Sequence, residues 1–206
     1  MSQTEQPNLY LITPQSFDIA AFAPRLAAVL DAEPIACLRL ALVNDDEDEL
    51  ARAADGLREI AHARDVPLVI TGHAVLVERL GLDGVHLSDG ARNVRATRKA
   101  LGADAIIGAY CGASRHDGLS AGESGADYVA FGPMGDHALL PGPRAEFALF
   151  EWWSQMIELP VVAEGALDRD LIAAIAPVTD FFAIGNEIWR ADDPVAALRD
   201  LIAPIR

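Results

Sequence analysis

The sequence predicts a parallel (β/α)8 TIM barrel, because short apolar strands alternate with amphipathic helices from near the first residue to the last. Two further observations support that class. The strands are continuous apolar runs, as strands covered on both faces require. The last two run into small-residue turns, Ala163-Glu164-Gly165-Ala166 and Ala183-Ile184-Gly185-Asn186, where such barrels commonly hold a phosphate. Unbroken alternation across 206 residues predicts one domain, 1–206, without a linker or low-complexity tract.

Leu9 to Thr13 reads as the first strand, and Asp18 caps a helix reaching Leu30. Ile35 to Leu40 is the second strand. The acidic run Asn44-Asp45-Asp46-Glu47-Asp48-Glu49 opens a helix to Arg64, where its carboxylates cap free N–H groups and complement the helix dipole, the alternative being a metal site. Val66 to Thr71 is strand three, followed by a helix from Ala74 to Leu80. Gly84 to Leu87 and Ala105 to Ala109 are strands four and five, each followed by a helix, at Val94 to Leu101 and Asp117 to Ser124. Asp127 to Phe131 is strand six, and Trp152-Trp153 belong to the helix after it. Strand seven is Pro160 to Ala163 and strand eight Asp180 to Ile184, with helices Asp168 to Ala176 and Asp193 to Ile202 completing the pattern.

Composition excludes several roles. Sixteen Lys and Arg face 31 Asp and Glu, a formal charge of −15, so the phosphate neutralisation that drives nucleic-acid binding is missing. No apolar run reaches the roughly 20 residues of a membrane span, and the first residues lack a signal-peptide pattern. Cys37 and Cys111, both at strand ends, read as reduced, partly buried thiols, and the expected compartment is the cytoplasm. The same negative charge requires that any phosphorylated ligand be met by backbone donors, a few arginines or a metal ion.

Gly165, Ala166, Gly185 and Asn186 are the candidate phosphate donors, and Glu164 and Glu187 repel an anion there unless their carboxylates turn away or pair. Arg39 lies inside an apolar strand and needs a partner; it is either an anion clamp or one half of a structural ion pair, for which Glu164 is a candidate. His73, past strand three, and His137, in the loop after strand six, are candidate proton-transfer groups, as is His116; His86, within a strand, reads as a hydrogen-bonded core residue. The loop from Gly132 to Pro143 carries three glycines and three prolines and is either a lid or a permissive surface loop. Cys111 has no adjacent base and reads as a small buried hydrophobe. Trp152 and Trp153 read as outer-layer packing; exposure there would indicate a homo-oligomer interface.

Tyr10-Leu11-Ile12-Thr13, Gly84-Val85-His86-Leu87, Gly125-Ala126-Asp127-Tyr128-Val129-Ala130-Phe131-Gly132-Pro133 and Pro160-Val161-Val162-Ala163-Glu164-Gly165 fall in order at spacings that resemble the thiamine phosphate synthase family and its relative, the thiazole tautomerase TenI. The resemblance implies a transferase that joins a hydroxymethylpyrimidine diphosphate to a thiazole phosphate with Mg²⁺ and expels diphosphate. A small phosphorylated heterocycle would be its partner. Charge on the leaving diphosphate must then be met at the strand ends.

Residue by residue, the chain departs from that family. Of Gln-x-Arg-x-Lys after strand two, only Arg39 is retained. Thr71-Gly72 stands where an Asn-Asp pair is usual, and Ser88-Asp89-Gly90-Ala91 replaces Gly-Gln-Glu-Asp. Asp89 is the one candidate stand-in for the metal ligand. Tyr110-Cys111-Gly112 replaces Ser-x-His, and the family's loop lysine falls near Leu140. Thr71, Asp89, Tyr110, Gly132 and Glu164 thus form the expected pocket. Three readings remain open from sequence: the transferase, a metal-free TenI-like isomerase, and a non-catalytic phosphate-ligand-binding relative.

Overall fold

A computed structural model describes residues 6–43, 46–136 and 142–206. Eight strands pair in chain order, all parallel, and β8 closes on β1. They are β1 (Asn8–Ile12), β2 (Ile35–Leu40), β3 (Leu68–Thr71), β4 (Gly84–Leu87), β5 (Ile106–Tyr110), β6 (Tyr128–Phe131), β7 (Val161–Glu164) and β8 (Phe181–Ile184). The helices are α1 (Ile19–Ala32), α2 (Glu47–His62), α3 (Ala74–Leu80), α4 (Val94–Leu101), α5 (Arg115–Glu123), α6 (Phe147–Met156), α7 (Arg169–Ile175), α8 (Asn186–Trp189) and α9 (Pro194–Leu201). The expected elements are all present; β2, α3, β4 and α4 match at both ends and no other end is shifted by more than three residues. The short α8 is an addition that four residues of periodicity could not signal.

Local chemistry explains where the helices begin. Asp18 Oδ1 accepts from Ala21 N at 2.9 Å, Asp46 Oδ1 from Asp48 N at 2.9 Å, and Ser114 Oγ from Asp117 N at 3.1 Å. Asp168 and Asp193, expected inside their helices, instead cap α7 and α9. Asn44 and Asp45, from the acidic run, lie outside the described residues.

Side chains two apart share a strand face, so the apolar runs divide into two cores. One set fills the barrel interior: Tyr10, Cys37, Val69, Tyr128, Ala130, Val162 and Ala183. The larger set packs outward against the helices, where Phe131 meets Trp153 edge to face at 5.0 Å. Trp153 is buried and donates Nε1 to Leu159 O at 2.8 Å, while half-buried Trp152 lies under the Arg115 guanidinium at 4.0 Å. Both tryptophans therefore pack in the outer layer.

An aspartate precedes β4, β6 and β8, and each reaches back to the strand before it. Asp83 Oδ2 accepts from Leu68 N at 2.7 Å, Asp127 Oδ2 from Ile107 N at 2.7 Å, and Asp180 Oδ2 from Val161 N at 2.8 Å. These carboxylates satisfy strand-end donors at the amino-terminal face, where barrels invest in stability rather than chemistry. The opposite face is left for the site.

Candidate functional site

Positions two or four residues past interior-facing ones emerge together at the carboxyl ends of the strands. Arg39 follows Cys37, Thr71 follows Val69, Tyr110 follows Ile106 and Gly108, and Glu164 follows Val162. With His86, Ser88 and Gly185 they line a cavity of about 380 Å³, within the usual range for small-molecule sites.

Arg39 and Glu164 form a two-pronged ion pair across the cavity: Nη1 donates to Oε2 at 3.1 Å and Nη2 donates to Oε1. The side chains are 7% and 5% exposed. Burial pulls the Arg39 pKa down, but the facing Glu164 carboxylate outweighs it, and the net shift is upward. The guanidinium is charged and its charge is cancelled by its partner. Of the two roles open to Arg39, the structure contains the ion pair.

Three buried polar atoms around the cavity have no hydrogen-bond partner among the described residues: Arg39 Nε, Thr71 Oγ1 and Tyr110 Oη. Groups of this kind cost free energy unless water or a ligand pairs with them, so they are open to the donors and acceptors of either. Burial, then the Glu164 charge, pushes the Tyr110 phenol up, so it stays protonated and able to donate.

Beneath them runs a hydrogen-bonded chain. His86 Nδ1 pairs with Tyr128 Oη at 2.9 Å, and Tyr128 Oη pairs with Tyr10 Oη at 2.8 Å. His86 is 2% exposed; burial, then the Arg39 charge, holds its pKa well below the ordinary value. It is neutral at pH 7. The unfolded chain therefore binds a proton below pH 6.5 that the folded one refuses, and stability present above that pH is lost as the pH falls. The expected slope is about 1.4 kcal/mol per unit below pH 6.5. Melting curves between pH 7.5 and 5 should show it, and a His86→Gln variant should show a flatter profile. Equal slopes for both proteins would refute the assignment.

Thr71, Tyr110, Glu164, Gly165, Gly185 and Asn186 meet in the cavity with Arg39. The other expected residues stand elsewhere. His73 precedes α3 and does not line the cavity. Asp89 is exposed, accepts from Asn93 Nδ2 at 2.5 Å, and lines a neighbouring depression with His116 and Asp117. Ala166 lines a third depression with Gly135. Gly132 is a packing position, since a Cβ there would lie 2.2 Å from Glu164 O. His137 and Leu140 lie outside the described residues, as does part of the expected lid. Cys111 is buried, and burial, then Asp117, pushes its thiol up to about 12, so it is an inert thiol. Ile12 and Ser88 line the cavity as well; both lie in stretches compared with the family without being singled out there, and strand parity would have found them, whereas Gln15 carries no signal.

Glu164 pairs with Arg39, which removes one of the two expected repulsions. Glu187 turns inward to the backbone: its Oε2 accepts from Gly185 N at 2.7 Å and its Oε1 from Leu167 N at 3.2 Å. Among the described residues no three His, Cys, Asp or Glu side chains gather as a metal group.

A closed parallel barrel with its polar side chains gathered in one cavity at the strand carboxyl ends defines a (β/α)8 protein built to take a small molecule. A family model described as thiamine monophosphate synthase matches residues 9–187. The chain belongs to that family. It is 41% identical over 197 residues to a thiamine-phosphate synthase of Rhodospirillum centenum, covering 93% of this chain and 94% of the relative. It is 40% identical over 207 residues to one of Erythrobacter litoralis, with 95% of each covered. The thiamine phosphate pyrophosphorylase structure from Pyrococcus furiosus superposes with a TM-score of 0.82 at 19% identity, covering 96% of this chain and 95% of that one. At that identity the superposition speaks to the fold alone. Among the described residues no helix is long and apolar enough to cross a membrane.

Proposed function

We propose that this chain works in thiamine biosynthesis, in the cytoplasm, as a transferase that joins a hydroxymethylpyrimidine diphosphate to a thiazole phosphate. Family membership along nearly the whole barrel carries the reading. In the reaction the bond between the pyrimidine methylene carbon and the diphosphate oxygen breaks, and the thiazole nitrogen forms the new bond to that carbon. The chain's own residues hold the two rings together and keep water from the electron-poor carbon. Tyr110 Oη, Thr71 Oγ1 and Arg39 Nε are the hydrogen-bonding atoms available to the rings. Because Glu164 cancels the Arg39 charge, Arg39 acts by position and donor geometry, not as a free cation for the diphosphate. Among the described residues no three His, Cys, Asp or Glu side chains form a metal group, so a Mg²⁺ would be held largely by the diphosphate itself, and no step above is routed through it.

The test is incubation of the purified protein with both precursors and Mg²⁺, followed by assay of diphosphate and of the coupled product. Equal amounts of both are expected. No diphosphate above the protein-free rate would overturn the transferase reading.

A further inference from the structure

We infer that Glu187 is a specificity-determining residue, an internal carboxylate that competes with phosphate for the backbone donors at the barrel mouth. The fold sets the expectation that the turns after β7 and β8 receive a phosphate. Here an anion already bridges those turns, and it belongs to the chain. Glu187 holds Gly185 N–H, from the β8 turn, at 2.7 Å and Leu167 N–H, from the β7 turn, at 3.2 Å.

Each amide has one proton to give, so a phosphate gains those two bonds only by displacing the carboxylate. A phosphate entering beside it meets like charge in a partly dehydrated cavity, where repulsion exceeds that in water. The neighbouring cation offers little relief. Arg39, 6% exposed and lining the same cavity, spends both terminal nitrogens on Glu164 and keeps only Nε unpartnered. That unpartnered donor is a second sign that the cavity takes a ligand. The carboxylate at position 187 therefore lowers the affinity for the phosphate end of a ligand relative to its ring end.

The inference concerns the cavity of the proposed reaction and takes the thiazole compounds from that reading, but its test needs no turnover. Inorganic phosphate, the thiazole phosphate and the unphosphorylated thiazole alcohol are titrated calorimetrically into the wild-type protein, Glu187→Ala and Glu187→Gln. Affinity for both phosphate compounds should rise about tenfold in Glu187→Ala, and at least about threefold. Glu187→Gln, which keeps the bulk and removes the charge, should shift in the same direction by less, and it decides the matter alone if the alanine variant does not fold. Binding of the alcohol should be unchanged. A smaller rise, a fall, or an equal gain for the alcohol would overturn the role assigned to Glu187. Failure of the coupling assay alone would leave these affinities as they are.

Discussion

Truncating Arg39 to Ala is expected to lower the stability of the barrel by about 3–5 kcal/mol, a large part of the ~5–15 kcal/mol that holds a typical domain folded. The cause is what remains behind. Glu164 is 4% exposed, and with Arg39 gone its carboxylate has lost both guanidinium donors in a cavity that water reaches poorly. Glu164→Ala should cost a similar amount by stranding the guanidinium. Replacing both together, as Arg39→Met with Glu164→Leu, removes the desolvation cost along with the attraction. The double variant should return to within about 1 kcal/mol of wild type. Urea unfolding of the four proteins measures this directly, because the pair's coupling is the departure from additivity. Additive losses would mean that the two side chains do not depend on one another. In the coupling assay the double variant should be inactive although folded, since it lacks the Arg39 Nε donor, and this separates the pair's role in the site from its role in stability.

The second large effect is expected at Gly108. A Cβ at this position would stand 2.0 Å from Tyr128 Cζ and 2.3 Å from its hydroxyl oxygen. The ring has little room to yield, because it is buried inside the barrel and tied to Tyr10 on one side and His86 on the other. Gly108→Ala should therefore cost about 3 kcal/mol and change the near-ultraviolet circular dichroism of the tyrosines. Tyr128→Ala empties the space that the methyl group needs. The pair Gly108→Ala with Tyr128→Ala should be no less stable than Tyr128→Ala alone. If the two losses simply add, the added carbon is colliding with something other than the ring.

Much of the cavity lining is within reach of a strand-end argument. Thr71, Tyr110, Glu164 and Arg39 each lie at or near the end of an apolar run, and an end of a parallel strand in a barrel is where chemistry gathers. His86 was readable as a hydrogen-bonded interior residue and is one, with Tyr128 as its partner, yet it also lines the cavity. Asp89, His73 and Ala166 show the limit of that argument. They follow strands as closely as the cavity residues do, but a loop turns each away, and loop direction has no periodic signature in the sequence.

The alternation of elements, the cap at Asp18, the acidic start of α2 and the inward set at every second strand position follow from short-range chemistry. Backbone hydrogen bonding, the pleat and the burial of apolar side chains act over a few residues, so the order of residues suffices to read them. The pairing of Arg39 with Glu164, 125 positions apart, is one of two readings open from sequence and is decided by the closed barrel; the reach of Glu187 to the amides of two different turns belongs to the closed barrel alone. Whether a carboxylate repels a ligand, pairs with a cation or takes the ligand's place depends on a few ångströms between loops. That distance is set only when β8 closes on β1.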